Sequence, residues 1–144
     1  MNRPDPVTGD GWAFLTGLQD AHPGTTPLAS DGQHHRSDRP VPSVQNLGKL
    51  DGVTVVRLAF RAGDTMAAHT AAWPILILGQ VGTVQVTVDD DPEPSVVTVT
   101  PGTALNIEAG RVHSLTTAEP ATVTLAVLHG SAVKDDRPGG RIMT

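Results

Sequence analysis

The sequence contains no cysteine, which excludes a disulfide framework, a thiolate zinc site and a cysteine nucleophile. It also contains no apolar run of about 18 residues, the length that a membrane-spanning helix requires. The N-terminal stretch MNRPDPVTGDGW lacks the apolar core of a signal peptide. We therefore expect a cytoplasmic protein that has no membrane partner.

Positive charge is scarce and dispersed, with 10 lysines and arginines against 15 aspartates and glutamates and a formal net charge of -5. Because no basic cluster is long enough to follow a phosphate backbone, we do not expect a nucleic-acid partner. A small-molecule ligand suits this composition better. The length of 144 residues is sufficient for a single domain with its own core.

Glycine and proline are frequent, at 15 and 12 residues, and they interrupt the chain too often for long helices. From about residue 53, short runs rich in Val and Thr alternate with turn residues at spacings typical of a sandwich or barrel. In the clearest run, Val84, Val86 and Val88 share one face. We predict an all-β fold with strands at residues 53–60, 73–78, 83–88, 96–100, 104–107 and 121–128.

Two segments carry a resemblance to the cupin family. The first family motif is G-x5-H-x-H-x(3,4)-E-x6-G, and Gly63, His69 and Gly82 stand in register with it. Ala71 occupies the position of the second histidine, and Ile75 occupies that of the glutamate. The segment is most similar to small, single-domain bacterial cupins.

The second family motif is G-x5-P-x-G-x2-H-x3-N, and Gly102, Gly110 and His113 stand in register with it. Glu108 replaces the proline, and Thr117 replaces the asparagine. The resemblance implies a double-stranded β-helix, or jelly-roll, cupin barrel over residues 44–130. Around it we expect an irregular N-terminal arm, residues 1–43, and a flexible C-terminal tail, residues 131–144.

Metal-binding cupins use three histidines and one glutamate, and only His69 and His113 remain at those positions in this sequence. Two neutral imidazoles alone hold a divalent ion weakly. A third ligand would have to come from one of three carboxylates near predicted strand ends, Asp64, Glu108 and Glu119. We expect no cofactor or, if there is one, a single Fe, Mn, Ni or Zn ion bound by His69 and His113.

Strand alternation predicts which other side chains face the barrel interior with the two histidines. If His69 points inward, Ala71, Ile75 and Ile77 follow it, and Leu115 and Thr117 accompany His113. The resulting ligand pocket is mainly apolar.

Two further residues leave alternatives open. Trp73 either covers a ligand at the mouth of this pocket or fills the core. Arg57, a lone charge in an apolar strand, either extends from the outer sheet face into solvent, which we favour, or reaches into the pocket to bind an anion.

The predicted arm contains one apolar patch, made of Trp12, Phe14, Leu15 and Leu18. Because the patch holds half of the aromatic residues, we expect it to dock on the barrel or on a second subunit, and we predict a homodimer. The adjacent His34 and His35 fit a polar loop better than a metal site, since neighbours in an extended chain point in opposite directions.

Three functions are compatible with these observations. The first is a small-molecule-binding cupin with an apolar pocket, in which the two histidines form hydrogen bonds to the ligand. The second is a metal-dependent cupin enzyme, such as a dioxygenase or an isomerase, and the third is a structural dimerisation module. No acid–base pair or nucleophile triad is recognisable, so no catalytic residue is assigned and enzymatic activity stays open.

Overall fold

The structure, a computed structural model, describes residues 7–15, 18 and 38–130. Within these ranges the chain forms strands and turns only, which confirms the all-β prediction. It contains no helix that could cross a membrane in the described part. The strands are β1 (Val7–Gly9), β2 (Trp12–Phe14), β3 (Ser43–Lys49), β4 (Gly52–Phe60), β5 (Thr65–His69), β6 (Ile75–Val81), β7 (Val84–Val88), β8 (Ser95–Val99), β9 (Ala104–Ile107), β10 (His113–Thr116) and β11 (Ala121–Gly130).

Two antiparallel sheets make up the barrel. One has five strands in the order β3-β4-β11-β6-β9, and the other has four strands in the order β5-β10-β7-β8. From β4 to β7 and again from β8 to β11, each consecutive strand lies in the opposite sheet. This crossing pattern is that of a jelly roll, and it confirms the predicted double-stranded β-helix.

The core lies between the two sheets and is made of aliphatic side chains with one aromatic ring. Phe60 of β4, Ile77 of β6 and Val84 and Val86 of β7 are fully buried there. The alternation that predicted a shared face for Val84 and Val86 therefore describes β7 correctly. Each such side chain contributes roughly 1.5–3 kcal/mol when it leaves water.

Gly82, the last glycine of the first motif, has a structural role at the turn between β6 and β7. Its φ of 70° lies in the left-handed region, which residues with a Cβ atom rarely adopt. A Cβ atom at this position would lie 2.5 Å from the carbonyl oxygen of Pro120. Both constraints favour glycine here without any role in ligand binding.

The described part of the N-terminal arm is more ordered than predicted, because β1 and β2 pair as a hairpin. Two residues of the apolar patch contact the barrel of the same chain. Leu15 packs against Gly48 of β3, and the Leu18 carbonyl accepts a hydrogen bond from Gln80 Nε2 of β6 at 2.6 Å. Trp12 and Phe14 remain 58% and 60% exposed. His34, His35 and the tail at residues 131–144 lie outside the described residues.

The prediction for Arg57 was wrong in one respect. Arg57 does lie on the outer face of the five-stranded sheet, opposite the inward-pointing Leu58, but it is only 1% exposed. Its register partner Thr124 and the nearby Thr122 are also buried on that face. The outer face is therefore covered at this point, and Arg57 neither reaches solvent nor enters the barrel interior.

Candidate functional site

His69 and His113 come together at one end of the four-stranded sheet. His69 ends β5, His113 begins β10, and the two are register partners in the antiparallel pair. Partners of this kind project from the same face of a sheet, so their rings meet. The ring centroids are 4.5 Å apart and the ring planes are inclined at 58°.

Each imidazole is oriented by a hydrogen bond to a backbone carbonyl two residues earlier in the chain. His69 Nδ1 donates to the Ala67 oxygen at 2.7 Å, and His113 Nδ1 donates to the Arg111 oxygen at 2.9 Å. A carbonyl can only accept, so Nδ1 carries the proton in both rings. The Nε2 atom of each neutral ring therefore offers a lone pair, and the pair presents two acceptors.

The two rings differ in their access to solvent. His113 is 2% exposed and therefore buried, whereas His69 is exposed to solvent. His113 is consequently the inner member of the pair, and His69 is the member that an entering molecule meets first.

A cavity of about 120 Å³ adjoins both rings, and apart from them its lining is entirely apolar. Of the residues predicted from strand alternation, the structure brings Ala71, Ile75, Ile77 and Leu115 to this cavity with the histidines. Four further lining residues were not predicted, namely Leu58, Met66, Leu125 and Val127. Alternation within β11 would have indicated Leu125 and Val127, since both share the inward face with Val123.

Trp73 and Thr117, which were also predicted for the pocket, do not line it. Trp73 sits in the β5–β6 loop with 49% exposure, and its indole meets the ring of His129 edge-on, with centroids 6.2 Å apart. Thr117 follows the end of β10, and its Oγ1 donates to the Arg61 carbonyl at 3.1 Å. The prediction for Thr117 rested on strand alternation, which stops where β10 ends at Thr116. Trp73 lies in the loop and neither lines the cavity nor fills the core.

None of the three carboxylates considered as a third metal ligand lines the cavity. Asp64 is buried, but it accepts hydrogen bonds from the Arg61 amide at 2.6 Å and from Arg61 Nε at 3.2 Å. Glu108 lines a separate cleft of about 320 Å³, and Glu119 lines another of about 290 Å³.

The described residues contain no group of three or more His, Cys, Asp or Glu side chains placed to hold a metal ion. Two imidazoles in an apolar lining supply neither the donor number nor the negative charge that a divalent transition metal requires. The donor set therefore does not fit the metal centre of the metal-binding cupins.

Comparison with known proteins identifies the fold. No protein-family model and no curated protein matches the chain. A cupin superfamily protein from Desulfitobacterium hafniense aligns at 16% identity with a TM-score of 0.56, over 78% of this chain and 98% of its own. A Klebsiella pneumoniae protein with a double-stranded β-helix domain aligns at 18% identity with a TM-score of 0.57, over 72% and 90% of the two chains.

An RmlC-like cupin family protein from Methanocaldococcus jannaschii aligns at 14% identity with a TM-score of 0.53, over 65% of this chain and 84% of its own. These similarities confirm the expected likeness to cupins at the level of the fold. The chain has the double-stranded β-helix fold of cupin proteins.

Proposed function

We propose that this protein binds a small molecule in the apolar cavity that His69 and His113 line. The observation that carries the proposal is an apolar cavity that two imidazoles, each oriented by a backbone carbonyl, also line. Binding sites for small molecules are typically apolar concavities in which a few polar groups fix the orientation of the ligand. Two imidazoles held by backbone carbonyls are polar groups of this kind.

The metal-dependent enzyme is the second candidate, and one observation favours it. Metal-ligating histidines usually donate their other ring nitrogen to a carbonyl or carboxylate, as His69 and His113 do here. The apolar residues at positions 71 and 75 argue against it, because they leave the two imidazoles without a third donor in the lining. Small-molecule binding requires no donor beyond those present.

The proposal is tested by filling the cavity. Ala71 lines the cavity, so Ala71→Leu places three additional carbon atoms inside it. Ala68→Leu is the matched control, since Ala68 is exposed and lies outside the lining. We expect ring-sized neutral probes such as benzene and phenol to shift the NMR resonances of the lining methyl groups in the wild type and in Ala68→Leu.

In Ala71→Leu the same probes should produce no such shifts. Equal shifts in all three proteins would place binding elsewhere and contradict the proposal. An absence of shifts in the wild type would also contradict it.

A further inference from the structure

We infer that the ligand of this cavity is a neutral, ring-sized molecule that donates a hydrogen bond, with phenol as its simplest representative. The inference rests on the proposed function, and it adds the chemical class of the ligand. It follows from three properties of the cavity: its volume, the imidazole nitrogens that can only accept a hydrogen bond, and its lack of charged side chains.

Volume limits the ligand to about one ring. The cavity measures about 120 Å³. An engineered apolar cavity of about 150 Å³ in another protein accommodates benzene. A single six-membered ring with one substituent toward the open side at His69 is therefore close to the largest molecule that fits without rearrangement.

The hydrogen-bonding capacity of the two imidazoles favours a ligand that donates a hydrogen bond. Since Nδ1 of both rings already donates to a backbone carbonyl, the remaining nitrogen of each neutral ring can only accept. A hydroxyl or N–H group satisfies such an acceptor. An ether, ester or ketone instead directs its own lone pairs at it, and both groups then lose their hydrogen bonds to water without replacement.

The lining also selects against charged and highly polar ligands. The lining contains no Lys or Arg, and it contains no side chain with a hydroxyl or amide group. A carboxylate or phosphate would enter an apolar site without a counter-charge, which is costly. A sugar would have more hydroxyl groups than the two imidazoles can satisfy, and each unpaired group would oppose binding.

The test compares four probes of similar size by isothermal titration calorimetry: phenol, anisole, toluene and benzoate. Phenol donates a hydrogen bond, anisole only accepts one, toluene does neither, and benzoate is charged. We expect phenol to bind about tenfold more tightly than anisole or toluene, as one additional hydrogen bond predicts, and benzoate to bind most weakly.

Variants then connect this preference to the imidazoles. His69→Leu and His113→Leu each replace an acceptor by an apolar side chain, and at least one of them should abolish the phenol preference while leaving toluene affinity within about threefold. His69 is exposed, so His69→Leu is expected to fold even if His113→Leu does not. His129→Leu is the control, because His129 contacts Thr54 and Trp73 outside the cavity.

The outcomes separate the two proposals. Equal affinities for phenol, anisole and toluene, or tightest binding of benzoate, would overturn the ligand class while leaving a small-molecule cavity in place. Retention of the phenol preference in both cavity variants would overturn the role of the imidazoles. No binding of any neutral probe would overturn the proposed function itself.

Discussion

His69 and His113 are register partners on β5 and β10, and their rings face each other with centroids 4.5 Å apart. Because each Nδ1 is bound to a carbonyl of its own chain segment, Nε2 of each neutral ring is left as an acceptor, and both residues line one apolar cavity. The backbone carbonyls of Ala67 and Arg111 therefore fix the orientation of both rings.

The two histidines should contribute unequally to stability. His113→Ala removes a buried ring and leaves the Arg111 carbonyl without its donor, so we expect the free energy of unfolding to fall by about 2–3 kcal/mol. For the exposed His69, we expect His69→Ala to cost less than about 1 kcal/mol. Urea denaturation monitored by circular dichroism measures both changes. An equal loss of unfolding free energy in the two variants would contradict the assignment of His113 as the buried ring and His69 as the exposed one.

Asp64 should support the β4–β5 turn without taking part in binding. It accepts bonds from the Arg61 amide and from the Arg61 guanidinium, which is partly open to solvent. Asp64→Ala should lower the free energy of unfolding by about 1.5–3 kcal/mol, mostly through the lost amide bond. Glu119→Ala, at an exposed position, should leave it nearly unchanged. A loss of probe affinity in folded Asp64→Ala protein would show that Asp64 acts on the site.

Ser95 should control the ionisation of Asp90 in the β7–β8 hairpin. Ser95 Oγ donates to Asp90 Oδ2 at 2.9 Å, and this bond, followed by that from the Asp91 amide, lowers the pKa of Asp90 below its ordinary value. A lowered carboxyl pKa contributes stability above the ordinary pKa, and the contribution is lost as pH falls through the folded-state pKa. In Ser95→Ala the pKa of Asp90 should rise, as an NMR titration of its carboxyl carbon would show. An unchanged titration would exclude Ser95 as the main cause.

The exposed aromatic residues of β2 bear on the predicted homodimer. Trp12 and Phe14 leave a large apolar surface in solvent, although Leu15 and Leu18 contact their own barrel. We expect light scattering to show a dimer at tens of micromolar and the double variant Trp12→Ser, Phe14→Ser to be a monomer. Val96→Ser, at an exposed position on β8, is the control. A monomeric wild type would contradict the prediction.

The fold was predictable to the extent that strands carry local signals. The valines and threonines of β7 and β11 alternate or cluster enough to be recognised, and β9 begins and ends at the predicted residues. By contrast β5, with the sequence TMAAH, has few residues that favour strands, and β10 has four residues. Hydrogen bonding to neighbouring strands stabilises β5 and β10, and this contribution comes from residues that are distant in the sequence. The local sequence therefore does not predict these two strands.

The site was predictable in position but not in chemistry. The spacing of the two family motifs placed His69 and His113 in one barrel, because motif positions reflect the strand register. The proton on Nδ1 depends on backbone carbonyls whose directions are set only in the folded chain. The burial of Arg57 likewise depends on what covers the outer sheet face, which the sequence of β4 alone does not reveal.

The measurement that tests the account most directly is the metal content of the purified protein after dialysis against a mild chelator. With two imidazoles and no carboxylate in the cavity lining, we predict clearly less than one equivalent of Fe, Mn, Ni or Zn per chain, and phenol binding that persists in the dialysed protein. One equivalent of metal that survives dialysis and is lost in His69→Ala or His113→Ala would contradict the account and make the metal-dependent enzyme the correct function.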